Sequence, residues 1–143
     1  MRREIATEIV IEAPAERVWQ ILTDFARFRE WNPFLLKVRG RAAVGAWVAF
    51  VFEMPRGFFG AVCARIVTCD ANKELRWVGR VPGLFRAEHY FVIERVDDAR
   101  VRFRHGEILS GLLLPPAWRL LLERGGPPVY EAMNIALKRR AEA

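Results

Sequence analysis

The spacing of apolar residues changes its period twice along this chain. Between residues 3 and 12 apolar and polar residues alternate, which predicts a half-buried β-strand. After Pro14 the apolar residues recur at intervals of three and four, as in an amphipathic helix of about ten residues. Asp24 is placed to cap a second short helix, which Pro33 would end. The first quarter therefore predicts one strand followed by two short helices.

From residue 36 to residue 111 the period is two, and turn-forming residues interrupt it repeatedly. The predicted strands cover residues 36–41, 45–54, 59–69, 74–80, 85–96 and 101–111. Their connections are too short to hold crossover helices, so consecutive strands are expected to pair antiparallel.

The last part of the chain returns to helical spacing. Pro115 and Pro116 open it, and the Gly-Gly-Pro-Pro segment at 125–128 must break or bend it. A second helical run follows from Val129, with basic residues at 138–140 near its C-terminal end, where cations complement the helix dipole. The break has two interpretations. It is a hinge that admits a ligand, or a bend that keeps a long helix on a curved sheet.

These elements predict an α+β protein with the helix-grip fold. A curved antiparallel sheet of about seven strands would wrap around the long C-terminal helix, since neither element can bury its apolar face alone. Two short helices would follow the first strand. No internal repeat or low-complexity linker divides the sequence, so residues 1–143 are expected to form a single domain.

Composition and charge narrow the class of protein. With 52% hydrophobic and 12% aromatic residues, the chain is not disordered, and no apolar run is long enough to span a bilayer. The first residues lack the apolar core of a signal peptide, so we expect a cytoplasmic protein, monomeric or homodimeric. The net charge of +6 is spread over several strands. We therefore expect no nucleic-acid partner, while peripheral contact with an anionic membrane stays open.

The sequence carries no signal for a metal, a cofactor or covalent catalysis. Cys63 and Cys69 lie in one predicted strand, roughly 20 Å apart, beyond the ~7 Å reach of a disulfide. We interpret both as small buried apolar residues. Two histidines without a cysteine partner do not make a structural zinc site. Glycine-rich phosphate loops and nucleophile elbows are missing, and Ser110 is the only serine.

Strand parity places three polar residues on the apolar side of the sheet. In the last two predicted strands the odd-numbered residues from Phe85 to Ile93 and from Val101 to Leu109 are apolar except His89, His105 and Glu107. A three-residue turn at residues 97–99 sets His89 opposite Glu107. Phe91 then lies opposite His105, and a turn shifted by one residue would pair Phe91 with Glu107 instead. Either register leaves the three polar residues on one inward face.

A buried carboxylate beside imidazoles has three interpretations. In the first, the three side chains satisfy one another, because buried polar groups need partners. In the second, they orient a carbonyl or hydroxyl group of a bound molecule. In the third, they act as a general acid and base, with Glu107 and either His89 or His105 transferring protons.

The chain also resembles a known superfamily. Residues 11–19, IEAPAERVW, with Asp24-Phe25 and Trp31-Asn32-Pro33-Phe34, are similar to the N-terminal signature of the START-like (SRPBCC) superfamily, in particular its polyketide cyclase/dehydrase branch. Further similar segments are residues 73–77, 88–91, 105–113 and 131–138. The resemblance implies a ligand-sized cavity between the sheet and the C-terminal helix.

The residues and the resemblance together suggest three functions. The first is binding of an apolar or amphipathic small molecule, lipid-like or polyketide-like, in the cavity. The second is a cyclase, aromatase or dehydratase that acts on polyketide-like substrates. The third is a non-catalytic accessory protein that engages a partner or a membrane surface. The expected cavity residues are Trp31, Phe34, Phe50, Phe52, Trp77, His89, Phe91, His105, Glu107 and Met133.

Overall fold

A computed structural model describes residues 1–143, with the side chain of Arg56 excepted. The strands are β1 (Arg2–Ile11), β2 (Leu35–Gly40), β3 (Trp47–Met54), β4 (Phe58–Asp70), β5 (Glu74–Val81), β6 (Phe85–Asp97) and β7 (Arg100–Ser110). The α-helices are α1 (Ala15–Thr23), α2 (Leu114–Ala117) and α3 (Gly126–Glu142). Two 3-10 segments (Phe25–Glu30 and Pro55–Gly57) and a π-helical segment (Trp118–Leu122) complete the helical parts.

All seven strands form one antiparallel sheet in the order β1-β7-β6-β5-β4-β3-β2. Consecutive strands from β2 to β7 are neighbours, as their short connections predict, and β1 pairs with β7 at the far edge. The two short helices lie between β1 and β2. The predicted α+β helix-grip architecture is confirmed.

The helix α3 packs against the β1 and β7 side of the sheet. Its buried residues include Tyr130, Met133, Asn134 and Leu137. A Cβ atom on Gly126 would lie 2.7 Å from Cδ1 of Ile5, so a glycine lets the start of the helix approach β1 closely. This close approach agrees with the bend interpretation of the Gly-Gly-Pro-Pro segment, and the hinge interpretation stays a prediction.

The register of β6 and β7 is the predicted one, although the turn differs. His89 lies opposite Glu107 and Phe91 lies opposite His105. The turn itself contains two residues, and an irregularity between Arg95 and Asp97 supplies the extra residue. A bulge and a two-residue turn therefore give the same register as a three-residue turn.

The ladder between β4 and β5 covers only half of β4. Residues 65–70 pair with residues 74–78, whereas residues 58–65 pair with β3 on their other side. Cys63 lies in the half that pairs only with β3 and is exposed, and Cys69 is half-buried, so the prediction that both cysteines are buried is wrong for Cys63 and holds only in part for Cys69. Among the described residues, no helix has the length and apolar character needed to cross a bilayer.

Candidate functional site

A cavity of about 510 Å³ lies between the sheet and the α2–α3 region. Its walls are mostly apolar and come from β3 to β7, from the segment before β2, and from the helical C-terminal part. The polar side chains that line it include Arg80, His89, Glu107 and Tyr130. A cavity of this size and composition falls within the range of small-molecule sites, roughly 300–1,000 Å³.

The cavity has a buried inner end and an exposed mouth. Trp77, His89 and Glu107 lie side by side on β5, β6 and β7, and they form one row across the sheet at the inner end. Towards the mouth the lining residues become exposed, as Phe58 and Val81 are. Arg80 alternates along β5 with the lining residues Gly79 and Val81, yet it also lines this exposed part.

Six of the ten predicted cavity residues line this space. They are Phe34, Phe50, Phe52, Trp77, His89 and Glu107. The other four, Trp31, Phe91, His105 and Met133, lie outside the lining.

The four residues outside the lining have two different reasons for their positions. Phe91, His105 and Met133 are fully buried, because the sheet and α3 pack directly together beyond the inner end of the cavity. Trp31 packs edge-to-face on Phe28 and lines a separate surface groove. Strand parity thus predicts the inward direction of these side chains but not the depth at which the cavity ends.

A local turn positions Phe34 at the cavity wall. The buried side-chain oxygen of Asn32 accepts hydrogen bonds from the backbone N–H groups of Phe34 and Leu35, both at 2.9 Å. This arrangement shapes the chain between the 3-10 helix and β2, as asparagine side chains commonly do in turns. The Phe34 ring then lies 5.0 Å from the Tyr130 ring, centroid to centroid.

A chain of hydrogen bonds runs from the cavity into the core. Nδ1 of His89 lies 3.1 Å from Oε2 of Glu107, and Nε2 of His89 lies 2.7 Å from Nε2 of His105. Nδ1 of His105 lies 2.9 Å from Oδ1 of Asn134, whose amide nitrogen donates to Oγ1 of Thr7 at 2.8 Å. The Thr7 hydroxyl donates to the backbone carbonyl of His105 at 2.6 Å.

Two members of this chain line the cavity, and Glu107 is the more accessible of them. The side chain of Glu107 is 16% exposed, whereas His89 and His105 are 2% and 0% exposed as residues. The hydroxyl of Tyr130 donates to Oε1 of Glu107 at 2.8 Å. Any molecule in the cavity therefore meets this polar chain at Glu107.

Burial sets the ionisation of the groups beside Glu107. Desolvation, together with the neighbouring His89, lowers the pKa of His105 well below its usual value, although hydrogen bonds to Asn134 and the Tyr130 backbone act in the other direction. Burial and the Glu107 carboxylate raise the pKa of Tyr130 well above its usual value. At neutral pH His105 is uncharged and Tyr130 keeps its proton.

Aromatic rings hold the His89 imidazole in place. Its ring centroid lies 4.7 Å from that of Phe91 and 5.4 Å from those of Trp77 and Tyr130. The indole N–H of Trp77 is buried and has no acceptor among the described residues. Buried donors rarely stay unpaired, so this N–H group is an exception in the wall of the cavity.

Two residues of the site were not predicted from the sequence. Tyr130 and Asn134 lie four residues apart on α3 and share its buried face with Leu137. The apolar stripe that begins at Val129 predicts a buried face for this helix but assigns no role to the polar pair. The spacing of three and four among residues 130, 134 and 137 was the signal that could have found them.

Within the part of the chain that the structure describes, no cluster of three or more histidine, cysteine, aspartate or glutamate side chains is placed to bind a metal ion. The expectation that the protein uses no metal or cofactor stays a prediction.

Comparison with solved structures gives the same fold. Norcoclaurine synthase from Thalictrum flavum, a point mutant in complex with a transition state analogue, superposes with a TM-score of 0.72 at 12% identity, covering 99% of this chain and 95% of that one. A START superfamily protein from Mycobacterium smegmatis gives 0.70 at 18% identity, with 97% of each chain covered.

A third structure, the di-domain ARO/CYC protein BexL from the BE-7585A biosynthetic pathway, gives a TM-score of 0.72 at 16% identity. The match covers 99% of this chain and 50% of BexL. At these identities the likeness concerns the fold alone.

Sequence comparison reaches the level of the family. No curated protein matches the chain. The model of the family described as "Polyketide cyclase / dehydrase and lipid transport" matches residues 2–142. The chain therefore belongs to the polyketide cyclase/dehydrase and lipid transport family.

Proposed function

We propose that the protein binds an apolar or amphipathic small molecule, lipid-like or polyketide-like, in the cavity. The observation that carries the proposal is a space of about 510 Å³ with mostly apolar walls and one cluster of polar groups at its inner end. Apolar walls supply affinity and a few convergent polar groups fix orientation in such sites. The polar group of the molecule would lie against Glu107, and its apolar body would extend towards the mouth.

Filling the cavity tests the proposal. Ala87 lines it on β6, so the change Ala87→Phe would place a ring in the binding space. We expect the affinity for a neutral fluorescent probe, N-phenyl-1-naphthylamine, to fall at least tenfold, because the probe and the ring compete for one volume. Fluorescence titration measures the effect.

The control is Ala49→Phe, which adds the same ring at an exposed position of β3 outside the cavity lining. Its affinity for the probe should match that of the unchanged protein. Equal affinities of the two variants would contradict a binding site in the cavity.

An enzyme that uses acid–base chemistry is the second candidate. It is favoured by a specific observation, the hydrogen bond of 3.1 Å between Glu107 and the buried His89 at the cavity wall. A carboxyl–imidazole pair that holds a proton beside a bound molecule can act as general acid or base. Cyclisation and dehydration of polyketide-like molecules need such proton transfers.

The third function, engagement of a membrane or partner, stays a prediction. Exposed apolar residues lie around the cavity mouth and on the nearby loops, among them Phe58, Phe59, Val81, Leu84 and Leu121. The same residues would serve ligand entry equally well.

A further inference from the structure

The hydrogen-bond chain behind the cavity has a fixed direction, because it ends on a backbone carbonyl. The carbonyl oxygen of His105 can only accept, so the hydroxyl of Thr7 must donate to it. Thr7 has no second hydrogen, and it must accept from Asn134. The amide nitrogen of Asn134 therefore faces Thr7, and its oxygen faces the ring of His105.

This orientation determines the tautomer of His105. The side-chain oxygen of Asn134 only accepts, so Nδ1 of His105 must carry a hydrogen. His105 is fully buried and its lowered pKa keeps it uncharged, which leaves Nε2 without a hydrogen. Nε2 of His105 must then accept, and Nε2 of His89 must donate across their 2.7 Å contact.

The remaining contact, between His89 and Glu107, must also contain one hydrogen. With Nε2 of His89 already protonated, that hydrogen sits either on Nδ1 of His89, giving an ion pair, or on Oε2 of Glu107, giving a neutral pair. Both arrangements have no net charge. The polar cluster at the inner end of the cavity is therefore electrically neutral as a whole.

The zero net charge of the cluster and the fixed direction of its hydrogen bonds together restrict which ligand groups Glu107 can bind. Oε1 of Glu107 accepts from Tyr130 and Oε2 shares a hydrogen with His89, so only oxygen lone pairs are left for the cavity. A ligand carboxylate also offers only lone pairs, so it could form no hydrogen bond with these oxygens and would be repelled. A ligand ammonium would bring an unbalanced charge into apolar surroundings, which is costly.

We infer that the ligand presents an uncharged hydroxyl group, of an alcohol, a phenol or an enol, which donates a hydrogen bond to Glu107. This inference rests on the proposed binding function and names the chemical class that the site takes. The positioning residues of this arrangement are Thr7, Asn134 and His105. They act on the ligand only because they determine which atoms of His89 and Glu107 carry hydrogens.

Three matched probes test the inference by isothermal titration calorimetry. 2-Naphthol has the hydroxyl, 2-methoxynaphthalene has the same body with the hydrogen replaced by a methyl group, and 2-naphthoate is an anion. We expect naphthol to bind roughly tenfold more tightly than its methyl ether, because the ether has no hydrogen to donate to the Glu107 carboxyl group. The naphthoate should bind more weakly than naphthol.

The change Glu107→Gln sharpens this test. Its amide can still accept from Tyr130 and donate to His89, so the chain is retained, but the second hydrogen on its nitrogen replaces a lone pair of the carboxyl oxygen. The preference for naphthol over the ether should fall several-fold. Glu88→Gln, on the opposite face of β6 where Glu88 pairs with Arg76, should leave the preference unchanged.

The outcomes separate the inference from the proposed function. If the ether binds as tightly as naphthol, or naphthoate binds best, the hydroxyl assignment is overturned while cavity binding stands. If none of the three probes binds, both are overturned.

A second measurement needs no ligand. Long-range proton–nitrogen NMR spectra of the histidine rings in isotope-labelled protein should show His105 protonated at Nδ1 alone and His89 protonated at Nε2. A spectrum with the hydrogen of His105 on Nε2 would overturn this assignment of charge and direction.

Discussion

Any turnover by this protein is expected to fall by about 10²–10⁴-fold when Glu107 is replaced by glutamine, the usual contribution of a general acid or base. The amide of the variant can accept from Tyr130 and donate to His89, so it replaces both of these hydrogen bonds of the carboxyl group. The variant keeps the chain intact and loses the transferable hydrogen. Steady-state kinetics on poly-β-ketone thioesters would measure kcat, and the N-phenyl-1-naphthylamine titration would confirm that the cavity is still formed.

The matched control is Glu88→Gln, which removes the same charge from the outer face of the sheet. Its kcat should equal that of the unchanged protein. If the Glu107 variant retained full kcat, the acid–base candidate would be excluded. If the unchanged protein turned over none of these substrates, the site would bind such molecules without converting them.

Replacing Asn134 by leucine is expected to lower the free energy of unfolding by about 2–4 kcal/mol. The leucine has a similar size but cannot accept from Nδ1 of His105, which is fully buried and has no route to water. Thr7 also loses the amide that donates to it. An unpaired buried donor costs about 1–3 kcal/mol, more than the net gain from one ordinary hydrogen bond. Urea unfolding followed by circular dichroism would measure the change.

Glu131→Leu provides the control for this variant, since it introduces leucine on the exposed face of the same helix. Its free energy of unfolding should change by no more than about 0.5 kcal/mol. A loss below about 1 kcal/mol for the Asn134 variant would show that the hydrogen-bond chain contributes little to the fold.

The sequence predicted most of the fold because local signals determine it. Alternating residues, turn residues and short connections define six consecutive strands and their antiparallel order. The register of β6 and β7 followed from a turn of few residues and the need to keep one face apolar. No local signal indicates that β1 pairs with β7, because about ninety residues separate these strands along the chain.

The candidate site could be predicted only in part. Parity showed that His89 and Glu107 share an inward face, because each strand alternates between two sides. It could not show that Phe91 lies in the closed core and not in the cavity wall, since the depth of a cavity depends on packing between distant elements. Asn134 was not predicted for the same reason. Its role depends on the hydrogen bond to the buried imidazole of His105, which lies on a distant strand.

Native mass spectrometry of the freshly purified protein tests most directly whether the cavity binds a small molecule, because it measures the mass of the folded chain together with any bound molecule. The unchanged protein and the Ala49→Phe variant should each carry an added mass of one small molecule, which the Ala87→Phe variant lacks. Two results would contradict a bound molecule between the sheet and α3. In the first, all three proteins have the mass of the polypeptide alone. In the second, the added mass persists when Ala87 is replaced by phenylalanine.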